Sequence, residues 1–270
     1  MYAHFASSLN FFALSFCLSV TLASYVTAET RIMCGTEVDI TAAPHLVSLR
    51  YKHNSSLPFI HRCSATIYSA ELVLTTARCV IGLKPQQLQI VAGSSYRLQS
   101  IGYITLVNSI IIHPDFNIWF IDNDLALLRL QIPLTKSDWF AFEPIALSRS
   151  LPVNDAIATV AGWGGATEER ADNSDRLQEA SVRMLSAAEC RQAYGEGRIS
   201  KAMLCAGVVS PTGVVIDACR GDAGSTLVSN GLAVGLVSWS NGCGREGYPG
   251  VYTNLVYFKQ WIESMAQQKL

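Results

Sequence analysis

The sequence predicts an all-β fold closed by one C-terminal helix, and three observations carry that expectation. Short β-rich runs follow one another along most of the chain, punctuated by Gly, Pro, Asn and Asp. Apolar residues recur at helical spacing only near the end, at Leu255, Phe258, Trp261, Ile262 and Met265, with Asn254 placed as the cap. Eight cysteines follow or lie within a strongly apolar N-terminal stretch, the pattern of an exported, cross-linked protein.

The N-terminal stretch comes first. Leu9 to Val26 contains no acidic or basic residue, and Val26-Thr27-Ala28 offers the small residues that a signal peptidase requires. A membrane anchor is the competing reading, because about 18 apolar residues can span a bilayer. The extreme N-terminal position, the cleavage pattern and the lack of flanking Lys or Arg favour a signal peptide over residues 1–28 and secretion. Cys17 leaves with that segment, so Cys34, Cys63, Cys79, Cys190, Cys205, Cys219 and Cys243 remain.

The strands follow in order. Leu46 to Tyr51 alternates in strand fashion, and similar runs are Glu71 to Thr76, Leu88 to Ala92, Ile101 to Ile112, Asp124 to Leu130 and Ala156 to Gly162. A second group comprises Leu177 to Leu185, Met203 to Ala206, Ser225 to Val228, Leu232 to Trp239 and Gly250 to Thr253. Gln131 to Asn154 is the least regular region and suits a connection between two halves. A chain of 270 residues accommodates one large unit or two small domains.

Composition excludes several functions. The net charge of −1 and the absence of Lys/Arg runs give no reason to bind nucleic acid or an anionic membrane. No CxxC pair or His-Cys cluster has zinc spacing, and the region around Gly93 to Gly102 lacks the acids of a calcium loop, so no metal or cofactor is expected. Asn54-Ser55-Ser56 is a glycosylation sequon on a polar segment.

Specific motifs then appear in order: Arg31-Ile32-Met33-Cys34-Gly35, Leu74-Thr75-Thr76-Ala77-Arg78-Cys79, Asp122-Asn123-Asp124-Leu125-Ala126-Leu127-Leu128, Ala161-Gly162-Trp163-Gly164, Gly221-Asp222-Ala223-Gly224-Ser225-Thr226, Ser238-Trp239 and Pro249-Gly250-Val251-Tyr252-Thr253. Their order and spacing resemble the trypsin/chymotrypsin family of serine proteases over residues 32 to 266. The resemblance implies two six-stranded antiparallel β-barrels with the site in the cleft between them. It also implies Cys63–Cys79, Cys190–Cys205 and Cys219–Cys243 bridges, with Cys34 unpaired.

The family's chemistry needs a serine nucleophile, a neutral imidazole base, a carboxylate that orients it and two oxyanion N–H donors. Arg78 stands where the family places the histidine, and a guanidinium has no lone pair to accept a proton. Ala223 stands where the attacking serine belongs. Ser225 lies two residues away, in a different place in the loop, and His45, His53, His61 and His113 are expected to be structural or exposed rather than substitute bases. His61 matches a histidine that the family keeps outside the triad. Asp124 is kept, and with Arg78 it is expected to form an ion pair.

Other parts match. By resemblance Gly221 and Ala223 supply the oxyanion N–H groups, and Asp217 is the pocket-floor acid that selects Lys or Arg. Ser240 stands where a pocket glycine is usual, whereas Gly250 is retained at the far wall. Residues 29–31 would be a short activation peptide; cleavage after Arg31 would free the amine of Ile32 to pair with Asp222. The expectation that follows is a secreted, catalytically inactive homologue over residues 32–270, not an enzyme. It would regulate or act as a decoy by binding protease substrates, inhibitors or partner proteases. The alternatives are a trypsin-like endopeptidase with residual Lys/Arg specificity and an extracellular protein that interacts through its barrel surface.

Overall fold

Alternation and antiparallel pairing build the molecule. The computed structural model describes residues 35–99, 101–165, 174–209, 215–216 and 218–268. Its first strands are β1 (Thr36–Glu37), β2 (Leu46–Tyr51), β3 (Ile60–Ser69), β4 (Leu72–Thr75), β5 (Leu88–Ala92), β6 (Tyr103–Ile112) and β7 (Ala126–Leu130). Strands β2–β7 close a six-stranded barrel in the order β2-β3-β4-β7-β6-β5. The second half holds β8 (Ile157–Gly162), β9 (Gln178–Leu185), β10 (Met203–Val209), β11 (Val215–Ile216), β12 (Thr226–Ser229), β13 (Leu232–Trp239) and β14 (Gly250–Asn254). There β9-β8-β12-β13-β14-β10 closes through a β9–β10 pairing, with β1 and β11 added at its flanks. The two expected barrels are present.

Side-chain patterning explains both. Along β9, Ala180, Val182 and Met184 point into the second core, and the residues between them face outward. Strand β2 is buried on both faces because Arg50 turns away from the core and donates to the Arg97 and Gln99 carbonyls, 2.8 and 2.6 Å away. Leu49, Ile67, Leu88, Ile90 and Leu128 fill the first barrel. A separate cluster of Leu74, Leu125, Leu127, Leu236, Leu255, Phe258 and Ile262 joins strands of both barrels to the last helix. Thr66 and Thr226 hydroxyls, 2.6 Å apart, add a buried polar tie between the halves.

Among the described residues there are three α-helices: α1 (Ala77–Val80), α2 (Ala187–Tyr194) and α3 (Leu255–Gln267). Helix α3 is the expected one, and the Asn254 side chain accepts from Tyr257 N at 3.1 Å as its cap. Helix α2 was not expected, although Ser186 and Glu189 form a reciprocal capping box that the sequence displays. Strand β3 was missed as well. The three implied disulfides, Cys63–Cys79, Cys190–Cys205 and Cys219–Cys243, are all formed. Each constrains the unfolded chain by about 2–4 kcal/mol. No described helix is long and apolar enough to cross a membrane. The predicted signal peptide, Cys34 and residues 29–32 lie outside the described residues.

Candidate active site

The cleft begins where β4 ends. Helix α1 holds a single turn, pinned by the Cys63–Cys79 bridge, and presents Arg78 at the junction of the barrels. Asp124, 2 % exposed, faces it from the start of the β7 segment. One carboxylate oxygen accepts from the Arg78 backbone N–H at 2.9 Å. The other accepts from the Ser238 hydroxyl at 2.7 Å and lies 3.7 Å from Arg78 Nε. The Thr253 hydroxyl donates to the Asp124 carbonyl at 2.7 Å, so β14 also fixes this residue. Burial pushes the Asp124 carboxyl above the usual carboxylate range, against the pull of Arg78 and the Ser238 hydroxyl. The guanidinium is 38 % exposed on its side chain and opens into the cleft.

The opposing wall is a loop shaped by glycines. Gly221 and Gly224 have φ of 100° and 86°, conformations that other residues rarely adopt. A Cβ on Gly224 would sit 2.1 Å from the Ser64 carbonyl oxygen, so the loop presses against β3 with no space for a side chain. Ala223, 5 % exposed, offers a methyl group, and its carbonyl accepts from Ser64 N at 2.8 Å. Ser225 is fully buried, and its hydroxyl finds no partner among the described residues. It does not line the cavity beside Arg78.

His61 supports this loop from behind. Its Nε2 donates to the Gly221 carbonyl at 3.1 Å, while Nδ1 accepts from the Ser48 hydroxyl at 2.8 Å. Burial pushes its pKa down to about 4, and it is the neutral ring in which Nδ1 accepts from Ser48. His45 is likewise depressed to about 4 by burial. Neither ring is placed at the cavity wall.

Asp222 lies fully buried under the same loop. Its two oxygens accept from Gly164 N at 2.8 Å and Cys219 N at 3.0 Å. Glycine is required around it, since a Cβ on Gly162 or Gly164 would fall 2.0 or 2.2 Å from those oxygens. No cation among the described residues pairs with the carboxylate, and burial raises its pKa to about 6. Ile32, expected to supply that cation, is outside the described residues.

A cavity of about 210 Å³ opens beside Arg78. Arg78, Ala218 to Arg220, Val237 to Ser240, Gly242, Cys243 and Gly250 to Tyr252 line it. Ser240 turns its hydroxyl onto the Gly242 carbonyl. Asp217, the expected floor acid, is outside the described residues, though its neighbour Ala218 is part of the wall. Beyond the rim, Arg198 stacks over Trp239 at 4.3 Å and donates to the Phe120 carbonyl. Sequence reasoning missed Arg198 and Arg220. Arg220 had a visible signal, its place beside Gly221; Arg198 meets its partners only through the fold. Among the described residues no group of His, Cys, Asp and Glu could hold a metal ion. Asn54 is exposed on the loop between β2 and β3.

Comparison with known proteins corrects one expectation. The Trypsin family model matches residues 32–262. Trypsin eta of Drosophila erecta is 35% identical over 95% of this chain and 97% of its own. Trypsin zeta of Drosophila melanogaster is 36% identical over 88% and 86%, and the vitellin-degrading protease of Bombyx mori is 37% identical over 87% and 85%. Arg78 and Ala223 led to the expectation that the chain is not an enzyme; relatives named as trypsins and as a protease overturn it. The physical fault in that expectation was to equate loss of a relay with loss of catalysis. Proteases stripped of triad members keep about 10³–10⁴-fold acceleration over water, from the oxyanion hole and binding. Fold, disulfides, cleft geometry and relatives agree: the chain belongs to the trypsin family of serine proteases.

Proposed function

We propose that the protein is a secreted, trypsin-like endopeptidase that acts on protein substrates at Lys or Arg residues, with a slow turnover. Binding and oxyanion stabilisation supply its rate instead of a Ser-His relay. The observation that carries this reading is the open cavity beside Ala218, whose sequence neighbour Asp217 is the family's selector for a basic side chain. Asp217 would hold that side chain by a charge-assisted pair, with Ser240 and Gly250 as walls. The Gly221 and Ala223 N–H groups would receive the scissile carbonyl oxygen as it gains charge. Asp124 would then serve as the anchor of Arg78 rather than as the orienter of an imidazole.

Activation follows the family's route in this proposal. Residues 1–28 direct secretion, and cleavage after Arg31 frees the Ile32 amine. That amine enters the Asp222 cradle and removes the cost of a buried unpaired carboxylate. The regulator or decoy reading gives way to this one.

The test is turnover of an arginyl peptide amide by the purified, cleaved protein. Slow hydrolysis that resists a serine-reactive phosphonate and disappears in Asp217→Ala supports the proposal. Hydrolysis that the phosphonate abolishes belongs to a contaminating serine protease and counts against it.

A further inference from the structure

We propose that Arg78 makes this cleft a receptor for the free C-terminal carboxylate of a peptide, so that the protein retains the acid product that hydrolysis creates. The inference rests on the substrate reading above and adds a control on the same site.

The charge balance of the cavity is the starting point. Two guanidinium groups, Arg78 and Arg220, line it, and no Asp or Glu does so among the described residues. Arg78 is incompletely neutralised by Asp124. The carboxylate already accepts 2.9 and 2.7 Å hydrogen bonds from Arg78 N and Ser238, while Nε stands off at 3.7 Å. The remaining guanidinium N–H donors have no acceptor among the described residues, and the side chain stays 38 % exposed toward the cavity. Arg220 is exposed and forms no ion pair with a described acid.

A second set of donors lies alongside. Neither Gly221 N nor Ala223 N donates to a protein acceptor among the described residues. Ala223 belongs to the same buried cluster as Ala77 and Cys79, the two residues that flank Arg78. Its carbonyl oxygen lies 3.9 Å from Cys79 Sγ. The loop that carries these amides continues from Cys219 and Arg220, which share the cavity wall with Arg78.

A planar guanidinium at a cavity wall matches a carboxylate, which accepts paired, charge-assisted hydrogen bonds. An intact peptide offers a neutral carbonyl at that point, and its acid product offers a full negative charge. The preference accordingly appears only after the bond is broken. In the family's usual arrangement a neutral imidazole sits there, with no permanent charge to distinguish the two.

The experiment compares two fluorescent peptides that end in arginine, one as the free acid and one as the C-terminal amide, by anisotropy on the purified, cleaved protein. The expected result is at least about tenfold tighter binding of the acid, with a ratio near one in Arg78→Gln. If Arg78→Gln does not fold, Arg78→Lys is used instead; it keeps the charge but loses the paired donors, and is expected to lower the ratio. Equal binding of both peptides to the unaltered protein overturns the carboxylate receptor and leaves the basic-residue pocket standing. Binding of neither peptide removes both.

Discussion

Two buried carboxylates divide this active site into a part that tolerates change and a part that does not. Asp124 is held in part by side chains: one oxygen accepts from the Arg78 backbone N–H, and the other accepts from the Ser238 hydroxyl with the Arg78 cation nearby. Asp222 is held by backbone N–H groups alone, in a space where Gly162 and Gly164 leave no room for a Cβ. A side-chain partner can be replaced while the carboxylate stays. A cradle of backbone cannot be altered without moving the chain.

The sharpest way to break this comparison is to crowd the cradle. In Gly164→Ala the new methyl would stand 2.2 Å from Asp222 Oδ2 and 2.4 Å from its Cγ. The expected loss is about 3 kcal/mol or more. A thermal melt should show it as a fall of roughly 6–12 °C for a domain of this size. An unchanged melting temperature would show that the carboxylate has space to move.

Titration comes next. Burial raises the Asp222 pKa in the folded chain from 3.8 to about 6. The folded state then binds the proton more tightly, so this contribution is complete below pH 4 and is lost as pH rises to 6. The whole contribution is about 3 kcal/mol. His45 and His61 act in the opposite direction, because burial lowers both from 6.5 to about 4. Their stabilisation is complete above pH 6.5 and is lost as pH falls toward 4. The difference between the uncleaved protein and Asp222→Asn isolates the carboxylate, and it should shift toward the variant between pH 4 and 7. A pH-independent difference would mean that a cation already occupies the cradle.

The Asp124 side gives a smaller effect. Arg78→Ala should cost about 1–2 kcal/mol, because it leaves a buried carboxylate without its cation while the lost arginine was partly exposed. Replacing Asp124 in addition should cost less than the sum of the single changes. Additive losses in chemical denaturation would show that the 3.7 Å approach carries no coupling.

Much of this was legible in the sequence. The family resemblance carried by the motifs implied the two barrels and the three bridges, and the spacing of Leu255, Phe258 and Ile262 gave the last helix. Helix α2 escaped because its mean apolar character is weak and only Cys190 among its residues is buried; its capping box was the available signal. Arg198 over Trp239 and His61 under Gly221 were illegible because each contact joins segments that only the closed fold brings together. The two altered positions were legible as chemistry, yet the inference drawn from them went too far. They specify the absence of a proton relay, whereas activity also depends on binding and oxyanion donors supplied by backbone.

The most direct test restores the relay on the unchanged scaffold. Steady-state kinetics on an arginyl peptide amide would compare the native chain with Arg78→His/Ala223→Ser. The expected result is a measurable native turnover, a kcat at least about a thousandfold higher in the double variant, and a KM that moves by less than about threefold. A KM that changes as much as kcat, or a native chain with no turnover at all, would contradict the claim that the binding half of a working trypsin cleft is intact.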